Sequence, residues 1–209
     1  VSWSNDDKVM VYTKTQGVKS TQKTIASAFK IDEKNIQVSA EFVGGGFGMA
    51  LRTWPQDILL VAAAKALKRP VKLMMTREQM FTLVGYRPAT LQTIALGATA
   101  DGKLTGMYHE AIGETSTYDD FTEGTVNMTK FMYACSNVVT KYRIVPLNRG
   151  NPIWMRGPGE ATGAFALESA MDEMAYKLNL DPIEFRIRNY AETDPQNGKP
   201  FSAKNLKEG

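Results

Sequence analysis

One cysteine and one histidine in 209 residues leave little of the catalytic repertoire those side chains usually carry. Cys135 alone can build neither an internal disulfide framework nor a cysteine-ligated iron–sulfur cluster. His109 alone gives no basis for a histidine zinc site and argues against a Ser-His-Asp triad. The longest apolar run, Ile58 to Ala64, is far shorter than a membrane span. A net charge of +3, with no block of lysine and arginine and no aromatic–basic interleaving, excludes a nucleic-acid footprint. Redox chemistry in this chain therefore needs a cofactor held by backbone and neutral side chains. The chain opens at Val1 without a methionine or a secretory signal, so it reads as a fragment or a processed subunit.

Glycine, by contrast, is concentrated. Gly44-Gly45-Gly46-Phe47-Gly48 follows a predicted strand and precedes a predicted helix. Consecutive glycines tolerate positive φ and let a ligand approach the backbone closely. Amide groups bared beside a helix N-terminus make an anion cradle. Taken alone, the run is equally consistent with a plain strand-to-helix connection.

The remaining pattern predicts a mixed order of elements. Lys8 to Lys14 reads as a strand, Val18 to Lys30 as a helix, and Asn35 to Phe42 as the strand entering the glycine turn. Thr53 with Gln56 fits a capping box for a helix running to about Leu67. Val71 to Met75 reads as a short buried strand, and Thr76 to Gln79 caps a brief helix ending before Gly85. Thr90 to Thr99 and Leu104 to Thr115 flank Asp101-Gly102, a hairpin signal. Ser116 to Asn137 has no clear period and reads as loop with some helix; Lys141 to Val145 reads as a strand. The strongest helical stripe runs from Glu160 to Leu178, and Asp181-Pro182 opens another helix. Meandering strands beside βαβ-like pieces give an α+β fold of mixed sheets with packed helices, one domain over residues 1–209.

Several stretches in this order resemble the molybdenum-cofactor-binding large subunit of the xanthine dehydrogenase and aldehyde oxidase family. They include Val43 to Gly48, Lys68 to Leu73, Thr76-Arg77-Glu78, Asp101 to Leu104, Arg156 to Ala161, Leu167 to Ala175 and Asp181 to Asn189. The resemblance covers essentially the whole chain and lies closer to the bacterial aldehyde- and isoquinoline-oxidising branch. It implies a molybdopterin-binding domain of the molybdenum hydroxylase type, binding molybdopterin or its cytosine dinucleotide. By resemblance, Gln16, Gly45, Gly46, Phe47, Gly48 and Arg156 bind the cofactor, and Gln16, Phe47 and Arg156 stand near the molybdenum. Gln16 lies 31 residues before Phe47, as in the family pattern. A neutral amide can donate to a metal-bound oxygen without adding charge, and a guanidinium fork suits an electron-rich pterin.

Two departures bear on substrate. Purine-oxidising members carry a glutamate where Leu51 stands and a phenylalanine where Pro158 stands. A pocket of Met49, Leu51, Trp154, Met155 and Pro158 suits an apolar aldehyde or an N-heteroaromatic instead. The family's catalytic base falls C-terminal to the matched region, so no residue here is assigned as catalytic. Glu160, Glu168, Asp172 and Glu173 read as capping or solvated helix carboxylates, Asp119-Asp120 as loop acids, His109 as structural, and Cys135 as without a role. The resemblance thus implies part of a hydroxylase using oxygen from water, inactive alone. Its partners are the remaining large-subunit domain and flavin and iron–sulfur subunits, with no nucleic acid and no membrane span. A cytoplasmic location is expected, with the periplasm as the alternative. The competing reading is a non-catalytic or truncated binding module with the same fold; a nucleotide-binding protein fits less well, because the glycine loop has no P-loop lysine.

Overall fold

The structure, a computed structural model, describes residues 1–4 and 6–207. The chain divides into two compact units, one of residues 1–87 and 152–156, the other of residues 88–151 and from 157 onward.

The first unit is built on a three-stranded sheet in which β1 (Ser2–Trp3) runs antiparallel to β2 (Val9–Tyr12), and β2 parallel to β3 (Ile36–Ser39). The parallel pair is joined through helix α1 (Val18–Phe29), whose buried Ile25 and Ala26 meet Val9, Val11 and Ile36 of the sheet and Val61 of α2 (Pro55–Leu67). β3 is shorter than its pattern predicts. Asp32 caps a 3-10 turn, Glu33–Asn35, by accepting from Lys34 N–H at 3.0 Å, and this turn delays the strand's start. At the other end the pairing stops at Tyr12 opposite Ser39, and Phe42 beyond it is 90% exposed.

Two sequence expectations fail in this unit. The cap of α2 is Trp54, not Thr53, because Pro55 takes the first helical position, where its missing N–H costs nothing. Asp57, rather than Gln56, reaches back to the Trp54 N–H at 3.2 Å. Val71 to Met75 is not a buried strand: Val71 exchanges two backbone hydrogen bonds with Val1, and Lys72, Leu73 and Met74 face solvent. A run of apolar residues has the composition of a strand, but it needs a partner long enough to form a ladder. The capping box of Thr76 and Gln79 does open helix α3 (Arg77–Leu83).

The second unit holds a longer sheet. β4 (Thr90–Ala98) pairs antiparallel with β5 (Leu104–Ser116), which pairs in parallel with β6 (Val138–Leu147). Asp101-Gly102 lies at the hairpin tip, but the loop is longer than two residues, closed by Thr99 N–H donating to the Lys103 carbonyl, with a bulge at Gly97/Ala98. β6 is twice the length read from the sequence. The stretch before it contains one turn of helix, α4 (Met128–Phe131). Helix α5 (Glu160–Lys177) buries Leu167, Met171 and Ala175 against Leu104 and Met107 of β5 and Phe185 of α6 (Pro182–Arg188). Asn179, at φ 55, stops α5, and Asp181 caps α6 through the N–H groups of Ile183 and Glu184. Mixed sheets with packed helices make this an α+β protein. Among the described residues no helix is long and apolar enough to cross a membrane.

Candidate functional site

Gln16 sits in the short link between β2 and α1, and its backbone is pinned. Its N–H donates to the Ala50 carbonyl at 2.8 Å, and the hydroxyl of buried Thr15 reaches the same carbonyl at 3.2 Å. Thr15 also accepts from Gly17 N–H at 3.0 Å, so Thr-Gln-Gly forms a rigid step. The glycine loop arrives from β3 on the other side. Gly44, Gly45, Phe47 and Gly48 all have positive φ, and Phe47, at φ 52, is the member for which that conformation is costly. Its ring is 66% exposed and folds back over Gly45, so it is not a core residue.

Two glycines bring these parts into contact. The Gly48 N–H donates to Gln16 Oε1 at 2.9 Å. A Cβ on Gly46 would lie 2.3 Å from that same oxygen, so the Gln16 amide covers the face of Gly46. A Cβ on Gly48 would lie 2.6 Å from the carbonyl oxygen of Trp154. Gly48 is therefore packed between the side chain of Gln16 and the backbone of Trp154, with the glycine Cα as the only spacer that fits.

The segment carrying Trp154 is itself held at both ends within this unit. Ile153, fully buried, donates its N–H to the Tyr86 carbonyl at 3.0 Å, and Arg87 Nη2 donates to the Arg156 carbonyl at 2.6 Å. The Arg156 side chain is exposed. On the loop side, Trp54 Nε1 donates to the Met49 carbonyl at 3.0 Å. Met49 and Met155 both line a cleft of about 400 Å³, together with Met80, Phe81 and two arginines, Arg77 and Arg87.

Of the residues picked from sequence, Gln16, Gly46, Gly48 and Trp154 thus meet directly, Gly45 and Phe47 belong to the same loop, and Met49 and Met155 share the cleft. Leu51 is 41% exposed, and its N–H donates to the Gly48 carbonyl. Pro158 belongs to the second unit and is not placed with the others. Thr15, Ala50 and Arg87 were not singled out from sequence, and Arg77 entered only as part of Thr76-Arg77-Glu78, with no site role. Their roles come from contacts distant along the chain.

Several of the other titratable candidates, all in the second unit, have structural partners. Arg186 takes Glu168 at 2.6 Å and Asp172 at 2.7 Å, so these two carboxylates hold α6 to α5 rather than cap a helix or face water alone. Tyr133 donates to Glu168 at 2.7 Å, and burial followed by that hydrogen bond pushes its phenol well above the usual range. Asp119 accepts from Asn151 Nδ2 at 3.0 Å. His109 is completely buried between Gln92 and Thr129, and burial lowers its pKa. Cys135 is a half-buried free thiol.

The donor set fits an anionic, electron-rich group that carries its own metal ligands. Gln16 spends its carbonyl on Gly48, which leaves its NH₂ to donate outward, and the exposed guanidinium of Arg156 supplies a cationic fork. At Gly44 nothing stands within 4 Å of where a Cβ would be, which leaves room for a ligand beside the backbone of the loop.

Residues 1–190 match the family of molybdopterin cofactor-binding domains, and the chain belongs to that family. Relatives in this class include the aldehyde oxidoreductase molybdenum-binding subunit PaoC of Escherichia coli K12. It is 36% identical over 189 residues, which is 90% of this chain and 26% of PaoC. The putative xanthine dehydrogenase molybdenum-binding subunit XdhA of the same strain is 26% identical over 216 residues, covering 29% of that protein. Among solved structures, the aldehyde oxidoreductase of Desulfovibrio gigas superposes with a TM-score of 0.89 at 27% identity, over 99% of this chain and 23% of that one. The chain therefore spans about a quarter of the length of these relatives.

Proposed function

We propose that this chain supplies one wall of the cofactor and substrate site of a molybdenum hydroxylase that oxidises an aldehyde or an N-heteroaromatic carbon. The observation that carries the reading is the contact of Gln16 with Gly46 and Gly48, which fixes the Gln16 amide against the glycine loop with its NH₂ left to donate outward. When bound, the molybdenum cofactor supplies the two-electron oxidation and the water-derived oxygen. In this reading the Gln16 NH₂ donates to an oxygen ligand of the metal, and a neutral donor suits a centre that is already anionic. The Gly46 amide approaches the same group from the loop, the Gly48 amide holds the Gln16 carbonyl and so orients its NH₂, Phe47 restricts access with its exposed ring, and Arg156 holds the pterin side. Met49 and Met155 face the substrate, with Leu51 and Trp154 as further candidates for its pocket.

Glu168 and Asp172, held by Arg186, are unsuited to abstract a proton. The family resemblance puts the base that takes the proton C-terminal to the matched region, so in this reading it comes from outside residues 1–209. The same holds for the electron path: flavin and iron–sulfur centres belong to further domains or subunits, in line with the relatives named as molybdenum-binding subunits. The chain on its own is therefore inactive in this account, and residues 1–209 act as part of the first portion of a large subunit.

The test uses the complete protein, purified with its partner subunits and given an aromatic aldehyde in ¹⁸O-labelled water. Label in the product acid supports the reading. Label taken from O₂ instead, or no oxidation of any aldehyde or N-heteroaromatic by a molybdenum-loaded preparation, rejects it.

A further inference from the structure

The cleft beside the glycine loop has an asymmetric lining. Its walls are apolar, from Met49, Met80, Phe81 and Met155, and its charged groups are two arginines, Arg77 and Arg87, with no acidic residue among those that line it. A volume of about 400 Å³ suits one aromatic ring with a short substituent. Arg77, the first residue of α3, lies over the face of Phe81 with its guanidinium carbon 4.6 Å from the ring centroid. A guanidinium stacked in this way is restrained in orientation while its edge N–H donors stay available, which is the geometry that binds a carboxylate through two hydrogen bonds. Arg87 lends its charge from a half-buried position while one of its nitrogens holds the Arg156 carbonyl at 2.6 Å. Met49 follows Gly48, and Met155 follows Trp154, so the cleft begins where the loop and the Trp154 segment touch.

We propose that this cleft selects aromatic substrates bearing a carboxylate, and that Arg77 is the residue that recognises the charge. The inference rests on the proposed hydroxylase reading for the identity of the reacting group, an aldehyde, and adds the anionic substituent. The ring lies among the methionines and Phe81, and the carboxylate meets Arg77 at the cleft's α3 side. The apolar lining alone would favour neutral aldehydes, so a preference for the carboxylate has to come from the Arg77 guanidinium.

The test compares 4-carboxybenzaldehyde with benzaldehyde on the complete molybdenum-loaded protein, in wild type, Arg77→Gln and Arg77→Lys. Arg87 is left intact because its loss would also release Arg156. The expected result is a kcat/KM ratio favouring the carboxylate, a preference carried by a lower KM; the ratio falls about tenfold in Arg77→Gln and is partly kept in Arg77→Lys. That preference should also weaken with added salt. A ratio that favours benzaldehyde in wild type, or that Arg77→Gln leaves unchanged, overturns the proposal.

Calorimetric titration of the same proteins with benzoate gives an answer that does not depend on turnover. Benzoate binding that weakens about tenfold in Arg77→Gln supports the cleft even if neither aldehyde is oxidised, and in that case it is the hydroxylase reading that fails. Absence of benzoate binding, or binding indifferent to Arg77, overturns the inference. Loss of pterin and molybdenum from Arg77→Gln would assign the arginine to the cofactor's phosphate, and would overturn it as well.

Discussion

The side-chain carbonyl of Gln16 and the backbone N–H of Gly48, 32 positions apart in the chain, form a hydrogen bond of 2.9 Å. Through it the link between β2 and α1 is fastened to the glycine loop that follows β3. The bond also decides which end of the amide is available: with the oxygen engaged, the NH₂ faces outward.

Replacing Gln16 separates these two roles. Gln16→Glu keeps an acceptor for Gly48 but loses the outward donor and adds a negative charge; Gln16→Ala loses both ends. Because Gln16 is exposed, either change should alter folding stability by only about 1 kcal/mol. Loss of a donor that acts on the reacting centre should instead lower kcat about 100-fold in the complete protein. Thermal denaturation and steady-state kinetics on the same preparations check the two halves of this prediction.

Gly163 reverses a common rule. It lies inside helix α5, where alanine ordinarily gains about 1 kcal/mol over glycine. Here a Cβ would stand 1.8 Å from the backbone carbonyl oxygen of Thr125, which no side-chain rotation can relieve. Gly163→Ala should therefore destabilise the protein, by about 3 kcal/mol once the helix is forced off its neighbour. Urea denaturation of the variant beside wild type measures it.

His109 provides a pH signature, since the chain has no other histidine. Nε2 must donate to the Gln92 carbonyl oxygen, so Nδ1 accepts from the Thr129 hydroxyl, and both partners are neutral. Burial holds its folded-state pKa below the ordinary 6.5. Below pH 6.5 the unfolded chain takes up a proton that the folded one resists, so the stabilisation is whole above that pH and is lost as pH falls toward the folded value. The slope approaches about 1.4 kcal/mol per pH unit in that window. Denaturation midpoints between pH 7 and pH 5 should show it, and His109→Gln should flatten it.

Much of the candidate site was legible because its residues are unusual types in short runs. Four glycines around a phenylalanine, and an arginine followed by Gly-Pro-Gly, stand out in any reading of the chain. The helices α1, α5 and α6 were legible through their caps and apolar stripes, which are local. What escaped notice depends on distant partners. Val71 to Met75 has strand composition but finds only Val1 to pair with, and the length of β6 is set by β5 rather than by its own alternation. Arg77 and Arg87 look like ordinary surface cations until the fold places both on one cleft with Met49 and Met155. Likewise nothing local to Gly163 tells that Thr125 lies against it.

The central claim, that the Gln16–glycine contact forms part of the cofactor's seat, is tested most directly by Gly46→Ala. The new methyl group would fall 2.3 Å from Gln16 Oε1, and the contact is with the end of a flexible side chain, so the amide can swing away while the fold persists. The measurement is molybdenum and pterin content per mole of the complete protein, with circular dichroism and thermal denaturation as the check on folding. The account predicts a folded variant with occupancy several-fold below wild type. A folded variant with wild-type molybdenum and pterin would contradict it, and would leave Gln16 and the glycine loop as structural features alone.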